Sequence, residues 1–386
     1  MSLMNSIKTN APIKITCVVG TRPEAIKMAP VISALARDAA FETVVLASGQ
    51  HADMLTQALD DFGLSADVNL NIMKNTQTLE HIASAVIEGV GKFLGKARQD
   101  MLLVHGDTAT TLGAALAAFY RRTPIGHVEA GLRSRDLKSP FPEEANRVLT
   151  DKISSLFFAP TERAAGNLLA EGCDAARVFV TGNTVIDALF WILKTTSELG
   201  ATPDFLRVIP RDAPLVLFTA HRRESWGEPL KNICGAILRV SEAHPEIRVL
   251  VPLHKNPVVR DIIRSELGGN DRVIFSEPLS YRDFVAAMNR SLFLLSDSGG
   301  VQEEASALKK PVLILREISE RPEAISHGTG VLVGTNPDEI EKESLRLIED
   351  EKYLASFAEK TSPFGDGQAS GRICDIIKTY FADKDM

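Results

Sequence analysis

Short apolar runs rich in valine, isoleucine, leucine and phenylalanine recur along the chain, separated by longer amphipathic stretches. In the first half these runs cover residues 14–20, 43–48, 101–105, 125–129, 156–159 and 178–182. Continuously apolar strands are typical of a parallel sheet with helices on both faces, because neither face of such a strand meets water. The pattern therefore predicts an α/β fold with a doubly wound parallel sheet.

The same series starts again in the second half, where the runs cover residues 215–220, 248–253, 273–276, 292–296, 312–315 and 331–334. A chain of 386 residues also exceeds what a single hydrophobic core usually supports. We therefore predict two Rossmann-like doubly wound domains that face each other across a cleft. The first comprises residues 1–185, with a C-terminal helix in 366–386 packed back on it, and the second comprises residues 186–365.

The charge balance argues against a nucleic-acid-binding protein. The chain has 43 Lys and Arg against 50 Asp and Glu, a net charge of −7, whereas nucleic acid binds to a basic face. The four cysteines lack the spacing of a zinc site or a disulfide framework, and no apolar run is long enough to span a membrane. The first 14 residues lack the apolar core of a signal peptide. We expect a cytoplasmic protein with no bound metal and neither nucleic acid nor membrane as a partner.

The first apolar run leads into a turn that is typical of an anion site. Gly20 allows a tight turn, Pro23 suits the start of a helix, and the helix N-terminus offers unpaired N–H groups. Arg22 and, one turn later, Lys27 add positive charge. The alternative is an ordinary strand-to-helix turn with a solvated arginine, and the sequence does not decide between the two.

A second turn of this kind contains Ser298, Gly299 and Gly300, after the fourth apolar run of the second half. Two glycines at a helix N-terminus let a diphosphate approach the backbone amides directly. A carboxylate one turn into the helix, Glu303 or Glu304, can accept two ribose hydroxyls. We therefore favour a nucleotide site over the alternative, in which Ser298 is a plain N-cap and the glycines serve packing.

Carboxylates collect at strand ends in the middle of the first domain. Asp107 follows one apolar run, Glu129 ends the next, and Glu143 and Glu144 follow a proline-rich loop. Carboxylates gathered at one edge can raise one another's pKa and divide the roles of general acid and base. The alternative for Asp107 is the N-cap of the following helix. Its convergence with Glu129 favours proton-transfer chemistry.

Cationic and imidazole side chains collect at two strand ends of the second domain. His221, Arg222 and Arg223 follow one run, and His254 and Lys255 follow the next. Such a cluster can neutralise and protonate a departing diphosphate. The absence of a Gly-x-Gly-x-x-Gly turn, a Walker A motif or a His-Glu-x-x-His motif argues against a nicotinamide cofactor, an ATPase and a zinc protease.

With these residues in view, the chain resembles the bacterial non-hydrolysing UDP-N-acetylglucosamine 2-epimerases along almost its whole length. The strings that carry the resemblance are GTRPEAIKMAP, HGDT, HVEAGLR, SPFPEEANR, VTGNTVIDAL, HRRES, SDSGGVQEEA, ERPEA and GDGQAS. The resemblance implies the two-Rossmann-domain architecture of B-type glycosyltransferases and a homodimer. It also implies epimerisation at C2, in which UDP and a proton leave to give an enzyme-bound 2-acetamidoglucal and then return, without any cofactor. Substrate and product would be UDP-N-acetylglucosamine and UDP-N-acetylmannosamine, for polysaccharide synthesis.

The resemblance also implies roles for individual residues. Asp107, Glu129 and Glu143 match the proton-handling carboxylates, and His221 matches the residue that assists departure and return of UDP. The diphosphate and ribose contacts match Arg22, Lys27, Ser298, Gly299, Gly300, Glu304 and Arg321. The uracil pocket matches Phe284 and the backbone at Leu279.

Three alternatives stay open. A glycosyltransferase of the same fold would hold UDP similarly but has no need of three carboxylates, and a catalytically silent UDP-sugar sensor would tolerate their loss. Within the family, the hydrolysing branch, which releases free N-acetylmannosamine, resembles HGDR and GGE where this chain has HGDT and EAG. That difference favours a product that keeps its nucleotide.

One string departs from the family pattern. Many members are activated by UDP-N-acetylglucosamine at a second site, part of which resembles QHRxML, whereas this chain has Gln50, His51, Ala52 and Asp53 followed by methionine. An arginine that could face a diphosphate is missing, and a carboxylate has been added. Gln50, His51 and His254 remain as candidate allosteric residues, and we expect activation to be weak or absent.

Overall fold

The structure is a computed structural model. It describes residues 11–49, 52–73, 78–199, 203–319 and 321–383, and of residues 52–54, 199 and 204 it describes the backbone alone. The chain forms two compact units. The first contains the described residues up to Ala188 together with those from Gln368 onward, and the second runs from Leu189 to Gly367.

The first unit is built on a seven-stranded sheet. Its strands are β1 (Ile13–Val19), β2 (Phe41–Ala47), β3 (Val68–Asn69), β4 (Met101–His105), β5 (Ile125–Val128), β6 (Leu156–Ala159) and β7 (Val178–Val180). They lie in the order β3-β2-β1-β4-β5-β6-β7, and every neighbouring pair is parallel. The order reverses between β1 and β4, and ligands of open α/β sheets bind at the carboxyl ends of strands beside such a point.

A helix follows each strand of this sheet. These helices are α1 (Arg22–Arg37), α2 (Ala52–Asp60), α3 (Leu79–Lys96), α4 (Ala109–Tyr120), α5 (Glu143–Ile153), α6 (Glu162–Ala170) and α7 (Thr184–Leu199), of which α7 continues into the second unit. The C-terminal helix α16 (Ala369–Ala382) also belongs to the first unit. Every residue of β4 is buried, and Leu102 and Val104 of this strand share a core with Val86 and Val90 of α3. Full burial of one such side chain stabilises the fold by about 1.5 to 3 kcal/mol, which is why this strand needs apolar residues on both faces.

The C-terminal helix α16 belongs to the first unit because side chains of that unit hold it. The Asp187 carboxylate accepts the N–H groups of Ala369 at 3.2 Å and Ser370 at 2.8 Å, as well as the Ser370 hydroxyl at 2.6 Å. Lys378 lies 3.1 Å from the carboxylate of Asp38, at the end of α1. These contacts satisfy the amides at the helix N-terminus and attach its later turns.

The second unit is built on a six-stranded parallel sheet. Its strands are β8 (Leu215–Thr219), β9 (Arg248–Pro252), β10 (Val273–Ser276), β11 (Phe293–Ser296), β12 (Val312–Ile314) and β13 (Gly330–Leu332), in the order β10-β9-β8-β11-β12-β13. Its helices are α8 (Asp204–Arg207), α9 (Glu228–Ala243), α10 (Pro257–Leu267), α11 (Tyr281–Arg290), α12 (Gly299–Ala307), α13 (Pro322–Ser326), α14 (Pro337–Glu349) and α15 (Glu351–Ser356). Phe218 and Phe293, on the adjacent strands β8 and β11, are fully buried in its core.

The predicted pair of Rossmann-like doubly wound sheets is confirmed, and every predicted apolar run contains a strand. Strand β3 was not predicted, because two residues are too short for a recognisable pattern. The runs that we extended to Glu129 and Gly182 end earlier, at Val128 and Val180. The reason is backbone conformation: Glu129 has φ 66° and Gly182 has φ 90°, values that no strand can continue through.

Candidate active site

The Glu129 carboxylate lies at the carboxyl end of β5 and meets three side chains from other parts of the first unit. Lys27 of α1 forms an ion pair with it, and Nδ2 of Asn183 donates a hydrogen bond to Oε2 at 3.0 Å. Nε2 of His105, the last residue of β4, lies 3.6 Å from the same oxygen. Glu129 also has the left-handed backbone conformation, which costs a non-glycine residue about 1 to 3 kcal/mol. Such a cost is typical of a side chain held in place for function.

His105 is buried, with 4% of its surface exposed, and neither of its ring nitrogens has a hydrogen-bond partner among the described residues. Unpaired polar atoms inside a protein are uncommon and unfavourable. The imidazole beside Glu129 is therefore a second titratable group whose bonding capacity is not used by the fold. No sequence pattern marked His105 as a candidate site residue.

Asp107 lies two residues beyond β4, and Glu129 directly follows β5, the strand next to β4. Arg147 of α5 forms an ion pair with its carboxylate, and Nδ2 of Asn146 donates to its backbone carbonyl at 2.8 Å. The alternative role of Asp107 as a helix N-cap is wrong. Thr108 caps α4 instead, since its hydroxyl accepts the N–H of Thr111 at 3.2 Å. The Asp107 carboxylate is thus held by a cation and does not serve the helix.

Glu143 and Glu144 begin α5, but the structure gives them different environments. Glu144 is buried, and its two oxygens accept the N–H groups of Ser134 at 2.9 Å and Arg135 at 2.8 Å, which fixes the preceding loop. Glu143 is half-buried and lies four residues before Arg147, on the same side of the helix. Since Arg147 pairs with Asp107, the helix places Glu143 on the side of α5 that faces Asp107.

A buried carboxylate that we did not predict, Glu24, joins the turn after β1 to the start of α4. Its Oε2 accepts the N–H groups of Gly20 at 2.9 Å and Thr21 at 2.7 Å. Its Oε1 accepts the hydroxyls of Thr108 at 2.6 Å and Thr111 at 3.0 Å. The anion that occupies the amides of this turn is therefore a side chain of the protein itself.

This finding corrects part of the anion site predicted at the first turn. The amides of Gly20 and Thr21 already have a partner, and a Cβ at residue 20 would lie 2.3 Å from Oγ1 of Thr110, so packing alone requires glycine there. The cations remain as candidates. Arg22 is half-buried at the first position of α1, and Lys27 contacts Glu129.

In the second unit, Asp297 orients His221. Asp297 follows β11 and is fully buried, and its Oδ2 accepts the N–H groups of His221 at 2.9 Å and Arg222 at 2.8 Å. Its Oδ1 lies 3.1 Å from Nδ1 of the His221 ring. Burial raises the pKa of Asp297, but the hydrogen bonds and charge of His221 and the N–H of Arg222 outweigh it and hold the pKa below its usual range. The ionised carboxylate fixes the ring and leaves Nε2 for another partner.

His254 follows β9, next to β8, and its ring lies against that of His221 with the centroids 6.1 Å apart and 28° between the planes. Desolvation, followed by the neighbouring His221, lowers the pKa of His254, whereas Asp297 acts in the opposite direction. His254 thus contributes to the surroundings of His221. Its proposed allosteric role stays a prediction, and Gln50 and His51 lie outside the described residues.

The turn at Ser298 and Gly300 has the features that a phosphate site needs. Ser298 occupies the N-cap position of α12, but its side chain makes no capping hydrogen bond, so the alternative of a plain N-cap is wrong. Gly300 lies within the helix, and among the described residues a Cβ there would meet Oγ of Ser298 alone, at 3.9 Å. Neither backbone conformation nor internal packing requires glycine at residue 300. Open space beside the N–H groups is what an approaching anion requires.

Glu304, one turn into α12, is buried and accepts a hydrogen bond from the hydroxyl of Tyr281 at 2.8 Å. Burial, and then the neighbouring Glu304, raise the pKa of Tyr281, so its hydroxyl stays a donor. Glu303 instead forms an ion pair with Arg321, the residue before α13. The sequence did not decide which of these two carboxylates contacts the ribose. In the structure, the hydrogen bond from Tyr281 orients Glu304.

The two remaining predicted contacts lie at the start of α11. Leu279 is half-buried just before this helix, and Phe284 is half-buried one turn after Tyr281. The backbone N–H of Phe284 donates to the carbonyl of Ser280 at 3.0 Å. The same short helix thus carries the candidate uracil contacts and the tyrosine that orients Glu304.

Most of the site residues that no sequence pattern marked hold the predicted residues or their turns in place; these are Glu24, Arg147, Asn183, Tyr281 and Asp297. The other one, His105, lies beside Glu129 without a hydrogen bond. Within the part of the chain that the structure describes, no group of His, Cys, Asp and Glu is arranged to hold a metal ion. Nor does that part contain a helix with the length and apolarity needed to cross a membrane.

Comparisons with known sequences show which family this chain is similar to. The sequence profile of a family described as UDP-N-acetylglucosamine 2-epimerase matches residues 33–378. The UDP-N-acetylglucosamine 2-epimerase of Escherichia coli strain K12 is 46% identical over 373 residues, which cover 95% of this chain and 98% of that protein.

Solved structures agree with the sequence comparisons. The UDP-GlcNAc 2-epimerase of Neisseria meningitidis, bound to UDP-GlcNAc, has a TM-score of 0.89 at 44% identity and covers 95% of this chain and 100% of that chain. The enzyme of Methanocaldococcus jannaschii, in complex with UDP-GlcNAc and UDP, has a TM-score of 0.79 at 33% identity, with coverage of 95% and 100%. The similarity therefore extends over both units.

Proposed function

Because the chain belongs to the UDP-N-acetylglucosamine 2-epimerase family, we propose that it interconverts UDP-N-acetylglucosamine and UDP-N-acetylmannosamine and keeps the nucleotide on the product. The resemblance predicted from the sequence motifs is confirmed by these matches. One observation supports the proton transfer that this reaction requires. Two carboxylates, Asp107 and Glu129, follow adjacent parallel strands and are held by different cations, Arg147 and Lys27.

Inversion at C2 without a redox cofactor requires proton transfer on both faces of the sugar. In the elimination, a carboxylate takes the proton from C2, the electron pair of that bond forms the C1–C2 double bond, and the C1–O bond breaks with its electrons on UDP. In the re-addition, a proton enters C2 from the opposite face and UDP returns to C1. Asp107, Glu129 and Glu143 are the candidate groups for these two transfers. His105, 3.6 Å from Glu129, can exchange a proton with it after a small movement.

Departure of UDP places negative charge on its outer phosphate. We assign His221 to this step, because Asp297 fixes its ring through Nδ1 and its Nε2 can donate to a phosphate oxygen. The N-terminus of α12, with Gly300 leaving its amides open, would hold the diphosphate. Glu304 would accept ribose hydroxyls with its orientation fixed by Tyr281. Arg22 and Arg321 would add positive charge, and Leu279 and Phe284 would contact uracil.

The decisive experiment is incubation of the purified protein with UDP-N-acetylglucosamine in heavy water, without added nicotinamide or metal, followed by proton NMR. Removal of the C2 proton to an exchangeable side chain predicts deuterium at C2 of both UDP-sugars. Full retention of the original hydrogen during epimerisation would exclude the elimination. Free N-acetylmannosamine as the main product would assign the protein to the hydrolysing branch. Transfer of the sugar to an added acceptor, with no epimer formed, would favour a glycosyltransferase.

We also propose that the protein works as a cytoplasmic homodimer that supplies polysaccharide synthesis. The described cysteines Cys17, Cys173, Cys234 and Cys374 are all free thiols, which suits a reducing compartment. Phe119 and Tyr120 are large apolar residues that are 53% and 69% exposed at the end of α4, where a second copy could cover them. Light scattering after size-exclusion chromatography tests the dimer, and a monomer at working concentration would contradict it.

A further inference from the structure

His127, on β5, is fully buried two residues before Glu129, and both of its ring nitrogens have close partners. Nδ1 lies 2.6 Å from Oδ1 of Asp151 on α5. Nε2 lies 2.8 Å from the backbone carbonyl oxygen of Gly106, the residue before Asp107. His127 is not among the candidate catalytic or substrate-binding residues.

The Asp151 carboxylate is ionised, so it cannot donate a proton to the ring. Its Oδ2 accepts Nη2 of Arg133 at 2.7 Å and the N–H of Gly131 at 3.3 Å, and both of these groups are donors. Burial raises the pKa of Asp151, but the guanidinium of Arg133, which is always charged, is among the groups that oppose this effect, and the pKa lies below its usual range. Oδ1 must therefore accept from Nδ1 of His127.

The partner at the other nitrogen is also a pure acceptor, because a backbone carbonyl carries no proton. A neutral imidazole can satisfy only one of the two partners, whereas an imidazolium donates to both. We propose that His127 is a buried imidazolium that positions Asp107 by donating a hydrogen bond to the carbonyl of Gly106.

The surrounding charges stabilise the buried imidazolium. Arg133 also binds Glu171 through Nε at 2.7 Å and Nη2 at 2.9 Å, so two cations, His127 and Arg133, face two carboxylates, Asp151 and Glu171. Lys152 lies 3.9 Å from Glu171 at the outer end of this network. A buried charge is tolerated only when it is paired and hydrogen-bonded, and this network provides both for His127.

The hydrogen bond from His127 completes the support of the turn that carries Asp107. Gly106 has φ 68°, and its N–H donates to the carbonyl of Val128 at 3.0 Å. With Nε2 of His127 on its carbonyl, Gly106 is held on both sides, and Asn146 holds the next carbonyl, that of Asp107, at 2.8 Å. His127 is therefore a positioning residue: it acts through Gly106 and need not touch substrate.

The protonation state is tested on the wild-type protein with ¹⁵N-labelled histidine. We expect His127 to show an N–H signal from each ring nitrogen, protected from exchange, in the neutral pH range. His244 is the matched control, because both of its ring nitrogens also face acceptors, the carboxylates of Glu246 at 2.9 Å and Glu349 at 3.1 Å, but its ring lies near the surface. Its raised pKa means that it holds two protons in acid and loses one as the pH rises. A single ring proton on His127 in this range would overturn the proposal.

The positioning role is tested with His127→Gln and His127→Asn, and this part rests on the proposed function. The glutamine amide can reach the carbonyl of Gly106, whereas the shorter asparagine amide cannot. We expect kcat to fall by about 10²-fold in His127→Asn and by about tenfold in His127→Gln, with KM within about twofold of wild type. His244→Gln should keep wild-type kinetics.

Equal losses in the two His127 variants, or wild-type kcat in a folded His127→Asn protein, would overturn the positioning role. If the wild-type protein does not epimerise its substrate, the proposed function fails, but the two ring N–H signals still decide the charge of His127. The amide chemical shift of Asp107 then replaces kcat: it should move more in His127→Asn than in His127→Gln, and equal movement would count against positioning. If neither variant folds, the ring signals of the wild-type protein remain the test.

Discussion

Asp297 gives the sharpest test of the proposed role of His221 in the departure of UDP. In Asp297→Asn, the remaining oxygen can keep the hydrogen bonds from the N–H groups of His221 and Arg222, but the new amide group then faces Nδ1 of His221. A donor in that position requires Nδ1 to be an acceptor. The single ring proton then moves to Nε2, and the imidazolium that could protonate UDP is disfavoured.

The structure predicts effects of different size on stability, turnover and binding. The backbone hydrogen bonds to Asp297 lose their charge assistance, so the free energy of unfolding should fall by about 1 to 3 kcal/mol. Turnover should fall by about 10²-fold or more, the usual contribution of a placed general acid. Binding of UDP should change little, because the Asp297→Asn side chain leaves the backbone amides of α12 intact.

The pH dependence of stability follows from the lowered pKa of Asp297. Burial raises this pKa, but the contacts with His221 and Arg222 bring it below the unfolded value of about 3.9. A lowered folded pKa stabilises the protein above the unfolded pKa, and this contribution is lost as the pH falls through the folded pKa. The contribution of the Asp297 charge to the difference in unfolding free energy between wild type and Asp297→Asn should therefore be fully present above the unfolded pKa and shrink in acid.

Three measurements decide the matter: NMR turnover, calorimetric titration with UDP, and urea unfolding at several pH values. Asp338→Asn is the matched control, because the Asp338 carboxylate also has a cationic side chain as its partner, Arg239 at 3.0 Å, but it is 81% exposed. It should leave all three quantities unchanged. Wild-type kcat in a folded Asp297→Asn protein would refute the role of Asp297 in orienting His221.

Four other predictions concern the proposed proton transfer, the proposed diphosphate and ribose contacts, and the second site. Asp107→Asn should lower turnover by about 10²-fold and keep UDP affinity, as measured by NMR kinetics and calorimetry; unfolding of the protein with full activity in the folded fraction would assign Asp107 a structural role instead. Gly300→Ala should weaken UDP binding by about tenfold without lowering the thermal midpoint, because the new methyl group enters open space beside the amides; a lower midpoint with unchanged affinity would show that packing explains this glycine. Glu304→Gln should weaken binding of UDP more than binding of 2′-deoxy-UDP in parallel titrations, and equal losses would contradict a ribose contact. The departure at Ala52 predicts that a reaction started from pure UDP-N-acetylmannosamine begins without a lag and follows a hyperbolic rate curve; a lag that a trace of UDP-N-acetylglucosamine abolishes would show that a second site still operates.

The sequence predicted those features whose signal is local. Apolar runs mark buried strands wherever they occur, and a polar residue directly after a run lies at the ligand-binding edge of the sheet. Asp107, Glu129 and Ser298 were identified in this way. The partners of these residues were not, because they come from distant segments: 40 residues separate Arg147 from Asp107, and 102 separate Lys27 from Glu129. Such pairs depend on strand order and helix packing, which no local pattern specifies.

The turn after β1 shows a second reason why a prediction from sequence can fail. A side chain of the protein itself can occupy the amides that would otherwise bind a ligand. Gly20 and Gly300 both sit where a strand gives way to a helix, and the sequence suggests the same role for both. In the structure a Cβ at residue 20 collides with Thr110, whereas a Cβ at residue 300 meets open space. The amides at the first turn are taken by Glu24, which only the folded chain brings to them. The structure therefore distinguishes two turns that look alike in the sequence.

The position of Glu24 has a consequence for engineering of the first unit. One carboxylate connects the turn that carries Arg22 with the threonines at the start of α4, directly after Asp107. A substitution at Thr108 therefore removes a hydrogen bond from the carboxylate whose other oxygen holds the backbone N–H of Thr21, and substitutions at the two turns should not combine additively. Libraries that vary one turn while keeping the other fixed would sample mostly disrupted combinations. Redesign of substrate preference in this unit should treat the two turns as a single block.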